Sequence, residues 1–362
     1  MASRTSIVPG LRAHLARLYP EHRIGAIEPL GPDTGATAGA TSKAAGYGLP
    51  VRIVLEGPRD RVELVWRVAG SDEFGHDRRA DRAANQLLAF DDFGHIPDHV
   101  RAIDVGAIRE DGTLVSIGGG ELYLITTYAR GTMYAEDLRR IAQDGTASTA
   151  DVERAAALAR YLARLHVPME GTQRYRRAIR DLVGHGEGVF GIVDGYPENV
   201  PGAPAELLRA IESSCVEWRW RLRAHEERLA RIHGDFHPFN LVCEGDQFTA
   251  LDASRGTCGE PADDVTALSI NYVLFALDAP AAWPRGLGVL WRRFWAEYLR
   301  ARPDAQLTAV SPPFFAWRAL VVCNPRFYPR LGTRGREALL GLARRALDAG
   351  VLEPGAAEEL FL

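Results

Sequence analysis

Between His233 and Val242 the chain reads HGDFHPFNLV, which places two histidines, an aspartate and an asparagine within ten residues, between apolar segments. A polar turn needs Asp, Asn, Pro and Gly. It needs neither the histidines nor a carboxylate and a carboxamide at a fixed separation. Asn240 follows Asp235 by five positions, and twelve residues further on the run FTALD ends on Asp252. That spacing suits phosphoryl transfer: one aspartate orients the attacking hydroxyl and takes its proton, while an asparagine and a second aspartate hold Mg²⁺ against nucleotide phosphates. Hard oxygen donors fit Mg²⁺, which takes only one or two carboxylates from a protein. The plainer alternative is a capped turn around a buried histidine.

The elements that must position these residues fall into two groups. PGLRAHLARLYP reads as a short amphipathic helix with Leu11, Leu15 and Leu18 on one face. The Gly-, Ala- and Thr-rich stretch LGPDTGATAGATSKAAGYGLP cannot form a packed element of its own. VRIVLEG and RVELVWRVA read as strands around a GPRD turn, and DRRADRAANQLLAFDDF as a helix with Ala84, Leu87, Leu88 and Phe90 as its apolar positions. VRAIDVGAI, GTLVSIG and ELYLITTYA read as three more strands. Helix dominates after Gly131. STADVERAAALARYLARLHVP carries a capping serine, Ser148, and PAELLRAIESSCVEWRWRLRAHEERLARI runs into the polar motif. After the motif come a CEGDQFTALDAS hairpin and helices near 262–277, 285–300 and 334–349. Strands segregated from helices predict an α+β protein with two lobes, residues 1–130 and 131–362, not a doubly wound sheet.

Composition narrows the function classes. A chain of 362 residues with 46% hydrophobic content suits two lobes. A formal net charge of −4 offers no global field for nucleic acid. The stretch from Phe190 to Ile270 holds 14 Asp and Glu against 7 Arg, an acidic bias suited to metal or a cationic substrate, or simply to a solvated face. Four scattered cysteines with no C-x-x-C suggest neither a disulfide framework nor a zinc site. The N-terminus shows no signal-peptide pattern and the chain no membrane span, so a cytoplasmic protein is expected. Of the 43 basic residues only Lys43 is a lysine.

H-x-D-x-x-x-x-N is the pattern of kinase catalytic loops, here with Gly234 where protein kinases use arginine. With the following Asp252, it resembles the aminoglycoside phosphotransferase and choline kinase family. The resemblance extends to Gly259-Glu260-Pro261-Ala262-Asp263-Asp264, similar to the family's G-D-P-A-x-D with Glu260 for the usual Asp, and to the Leu-His of ARLHV. It covers most of the chain and is clearest from Leu162 to Leu277. It implies a bilobal, protein-kinase-like fold with an N-terminal antiparallel-sheet lobe for the nucleotide and a helical C-terminal lobe for catalysis and the acceptor. By the same resemblance, Asp235 is the catalytic base and Asn240 and Asp252 are Mg²⁺ ligands. His233 braces the loop, Asp264 anchors it from the next helix, and His237-Pro238 form a stiff turn. Arg67 stands where the family has a phosphate-binding lysine, Asp81 where it has the partner glutamate, and Lys43 is an alternative phosphate cation. The backbone of Thr127 and Ala129 is expected to hold the base. Asp181, His185, Glu187 and Asp194, and the run CNPRFYPRLG, are candidate acceptor walls or plain helix ends and loops.

The expected activity is transfer of the γ-phosphate of ATP or GTP, with Mg²⁺, to a hydroxyl of a small molecule. An aminoglycoside-like antibiotic, an amino alcohol and a sugar are all candidate acceptors, and neither nucleic acid nor membrane is an expected partner. No DFG and no APE-like segment speak for a protein kinase. A nucleotide-binding pseudokinase, suggested by the missing lysine, and a nucleotidyl transferase on the same fold are the alternatives.

Overall fold

The computed structural model describes residues 4–29, 50–72, 75–253 and 255–362. Lys43 and Ser254 lie outside them. Contacts divide the chain into two units, Met1–Thr126 and Thr127–Leu362, four residues before the boundary expected at 130.

The first unit runs α1 (Arg4–Leu18), β1 (Arg23–Pro29), β2 (Val51–Glu56), β3 (Arg61–Trp66), α2 (Arg79–Asp92), β4 (Gly106–Ile108) and β5 (Leu114–Ser116). β1, β2 and β3 form an antiparallel sheet in that order, and β4 and β5 a separate hairpin. Its core is small: Leu11 and Leu15 of α1 are buried with Ile53 and Leu55 of β2 and Leu114 of β5. Leu18, expected on the same face, is exposed. α2 forms where its periodicity predicts, yet buries none of its residues.

One expected strand is absent. ELYLITTYA has no strand hydrogen bonding, and Leu122, Tyr123, Leu124, Ile125 and Tyr128 are all exposed. Its β-branched and aromatic residues favour a strand, but strand propensity is realised only against a partner that takes up the backbone groups. Gly118 and Gly120, at φ +69° and +124°, redirect the chain just before the segment begins.

The second unit is mostly helical. It contains β6 (Thr132–Met133), α3 (Tyr134–Asp144), α4 (Thr149–Leu165), α5 (Thr172–Gly184), α6 (Val189–Asp194), α7 (Ala205–Leu222), β7 (Ala230–Arg231), β8 (Leu241–Glu244), β9 (Gln247–Ala250) and β10 (Cys258–Gly259). α8 (Pro261–Leu277), α9 (Gly288–Ala301), α10 (Leu307–Val310), α11 (Pro312–Cys323) and α12 (Thr333–Ala349) complete it. Ser148 caps α4 by accepting the Asp151 amide (3.3 Å), and Asp151 returns a bond to the Ser148 amide (2.8 Å). α7 stops at Leu222, and a short turn and β7 lead into the polar motif, where the sequence suggested one continuous helix. α8 and α11 are apolar nearly all round and nearly wholly buried, as a helix must be when other elements cover every face. β6, β8 and β9 form one small sheet and β7 pairs with β10. No helix among the described residues is long and apolar enough to cross a membrane.

Candidate active site

The polar motif leaves β7 at Arg231, bends through Gly234 and enters β8 at Leu241. Gly234 sits at φ +83°, and a Cβ there would lie 3.0 Å from the Gly256 carbonyl. Only glycine meets both conditions without strain. Phe236, fully buried, stacks on Tyr161 of α4 with ring centroids 5.6 Å apart. The loop is thus pinned from below by an apolar ring between its polar residues.

Asp264, in the first turn of α8, fastens the loop backbone. Its carboxylate accepts the amides of His233 (2.7 Å) and Gly234 (2.8 Å). It also accepts Nε2–H of His166, the histidine of the Leu-His pair, at 3.2 Å. That bond leaves His166 Nδ1 as the acceptor for the Tyr298 hydroxyl, 2.7 Å away. All five residues are buried. Burial pushes the Asp264 carboxyl up, but the bonds from His166 and the two amides outweigh it and hold the group below its ordinary value.

Asp235 is held on every side. Oδ1 accepts Arg318 Nη1 of α11 (2.7 Å) and Arg255 Nη2 (2.9 Å). Oδ2 receives Asn240 Nδ2 (3.3 Å), which also donates to the Asp235 carbonyl (3.0 Å). His237 accepts the Phe239 amide on Nδ1 (3.2 Å), which places its proton on Nε2, 3.4 Å from Asp235 Oδ2. Burial raises the Asp235 carboxyl, but the His237 bond and the Arg318 and Arg255 charges overcome it and hold the group far below the carboxylate range. The side chain is still 22% exposed. His233 supports the same residue by accepting the Asp235 amide on Nδ1 (3.2 Å).

Asn240 and Asp252 are brought together through the backbone: the Leu251 amide donates to the Asn240 carbonyl (2.8 Å). Asp252 follows, exposed and at φ +51°. The Asn240 amide nitrogen is spent on Asp235, which leaves its side-chain oxygen as the atom free to face a cation. Among the described residues no group of three or more His, Cys, Asp or Glu forms a metal cage. A carboxamide oxygen and a carboxylate are the hard donors that Mg²⁺ takes, with waters and substrate phosphates as its other ligands.

No family model and no curated protein matches the sequence. Solved structures resemble it at low identity. A glucosamine kinase in complex with glucosamine, ADP and inorganic phosphate is 16% identical, with a TM-score of 0.39 over 60% of this chain and 59% of that one. Choline kinase from Cryptosporidium parvum Iowa II is 11% identical, with a TM-score of 0.37 over 95% and 94%. The GDP and kanamycin complex of APH(2")-IIia is 14% identical, with a TM-score of 0.33 over 93% and 97%. At identities this low the likenesses decide nothing about this chain's chemistry.

Arg67 and Asp81 belong to the first unit. Arg67 is exposed one residue past the end of β3, with its guanidinium 5.5 Å from the Phe93 ring centroid. Asp81 serves the capping box of α2, accepting the Arg78 amide at 3.0 Å. Thr127 and Ala129 belong to the segment that forms no strand. Glu260 caps α8 and is buried against Arg228, which grips it with Nε and Nη2 at 2.7–3.1 Å and also binds Asp304 at 2.8 Å. Glu260 thus closes a buried ion network with Arg228 and Asp304.

Sequence reasoning passed over three contacts of Asp235. His237 was read as part of a stiff turn, and its ring reaches the carboxylate as well. Arg255 and Arg318 were not considered. Arg318 had a visible signal: it is the only charge in PPFFAWRALVVC.

Proposed function

We propose that the chain transfers the γ-phosphoryl group of a nucleoside triphosphate to the hydroxyl of a small molecule. The observation that carries the reading is the double fastening of one loop: Asp264 holds its backbone while Asp235 and Asn240 hold each other at its exposed end. A capped turn around a buried histidine needs the first fastening and not the second. Asp235 orients the acceptor hydroxyl. Its carboxylate is a weak base, so it takes the proton late, after the bond to phosphorus has formed. Asn240 and Asp252 hold Mg²⁺, which when bound neutralises phosphate charge. His233 and Asp264 keep the loop from yielding when substrate binds.

ATP and GTP are both candidate donors, and aminoglycosides, amino alcohols and sugars are candidate acceptors. The test is Mg²⁺-dependent consumption of each nucleotide against a panel of these compounds, with Asp235→Ala beside the wild type. Stimulation by one acceptor, reduced about 10²–10⁴-fold in the variant, is the expected result. Measurable Mg-nucleotide binding with no turnover on any acceptor would favour a binding protein. Transfer of a whole nucleotide, read from product mass, would favour a nucleotidyl transferase.

A further inference from the structure

Arg318 is a buried cation on a helix that has no other charge. α11 reads PPFFAWRALVVC, and Arg318 is 5% exposed. An apolar side chain of similar volume would pack there at no electrostatic cost, since burying an ion pair is often less stable than replacing it with hydrophobic residues. The guanidinium bridges two carboxylates from different elements. Nη1 donates to Asp235 Oδ1 of the loop and Nη2 to Asp263 Oδ1 of α8, each at 2.7 Å, and Nη2 also reaches the Gly234 carbonyl at 3.2 Å. The fork itself is held flat, 4.0 Å from the ring centroid of Trp317. Trp317 is fixed in turn by its indole N–H on the Glu187 carbonyl, 2.9 Å away.

We propose, on the phosphotransferase reading given above, that Arg318 is a positioning residue: by bridging Asp235 and Asp263 it sets the direction in which the Asp235 carboxylate faces the acceptor hydroxyl. It touches the base and not the substrate. With Arg255 on the same oxygen and Asn240 and His237 at Oδ2, the Arg318 bond completes the set that fixes the carboxylate, and misplacement of a reacting group by about 1 Å costs about 10²-fold in rate. Lysine cannot substitute. It offers one nitrogen where the fork offers two, aimed at two separate oxygens.

The experiment follows phosphate release from Mg–ATP with water as acceptor, in the wild type, Asp235→Asn, Arg318→Lys and the double variant Arg318→Met with Asp263→Asn. The double variant removes both members of the buried pair, so that neither is left uncompensated. Melting temperature and Mg–ATP affinity are measured for each. Arg318→Lys is expected to lose at least about tenfold in kcat, with KM for Mg–ATP unchanged within about twofold and the fold intact. The double variant is expected to fold and to show the same loss. A folded Arg318→Lys or double variant with wild-type kcat overturns the proposal, as does a change confined to KM or to melting temperature. Hydrolysis that Asp235→Asn abolishes and the Arg318 variants leave alone sinks this proposal only. Absence of Asp235-dependent phosphate transfer both to water and to every compound of the acceptor panel sinks the phosphotransferase reading and the proposal with it.

Discussion

Asp264 shows what a single buried carboxylate can hold. Its oxygens are the partners of the His233 and Gly234 amides and of His166. Asp264→Ala leaves those donors buried and unpaired, at a cost of about 1–3 kcal/mol for each amide. The folded-state carboxyl lies below its unfolded value, so its stabilisation is fully present above the unfolded carboxylate range, about pH 4, and is lost as the pH falls through the lower folded value. Urea unfolding at pH 7 is therefore expected to separate wild type from Asp264→Ala by several kcal/mol, and the gap to narrow as the pH drops below about 4. A gap that is constant with pH would assign the cost to packing alone. At Asp235 the acidic surplus between 190 and 270 is answered by two guanidiniums, one of them, Arg318, from outside that stretch.

At the scale of elements, the loop works because its bend is built on glycine. Gly234→Ala forces an L side chain into φ +83° and against the Gly256 carbonyl. A cost of about 1–3 kcal/mol is expected, with loss of turnover because His233 and Asp235 flank the bend. Gly245, at φ +58° with nothing within 4 Å, is the control: Gly245→Ala should cost less and leave turnover intact, and equal effects on melting temperature and rate would refute the argument. This loop was legible because its residues are polar, unlike and fixed in spacing. The β8–β9 hairpin was legible from its Glu-Gly-Asp turn, and α4 from Ser148 and its apolar repeat. α11 was not: like α8 it is buried on every side and shows no amphipathic period, and unlike α8 it has no acidic first turn to mark its start. Missing the helix meant missing Arg318. ELYLITTYA failed for the opposite reason: its local preference for strand is clear, and the partner it requires is not a property of the segment. β1, Arg23–Pro29, was overlooked because RIGAIEP alternates weakly and carries a bulge between Ile24 and Ala26.

At the scale of the molecule, the two units differ in how much they bury. The first gathers Leu11, Leu15, Ile53, Leu55 and Leu114. The second has a continuous core drawn from α3 through α12, with Trp291, Tyr272, Phe294 and Phe315 fully buried. Buried apolar area is the main stabilising term, at about 25 cal/mol per Å², and it must offset the conformational entropy of every ordered residue. Among the described residues the first unit buries seven hydrophobic side chains, those five with Val54 and Val105, which leaves little margin, and the unit that carries Asp235, Asn240, Asp252 and Asp264 has much more. Native-state hydrogen exchange followed by mass spectrometry is expected to show the amides of β1, β2 and β3 opening at lower free energy than those of α8 and α11. Heating should then resolve two transitions, the first belonging to residues 4–126. The contacts of Asp235 lie wholly within the second unit, so the far-UV signal of that unit and the Asp264 anchor should persist through the first transition. Exchange of the α8 amides in step with β2 would show one cooperative unit and overturn the expectation.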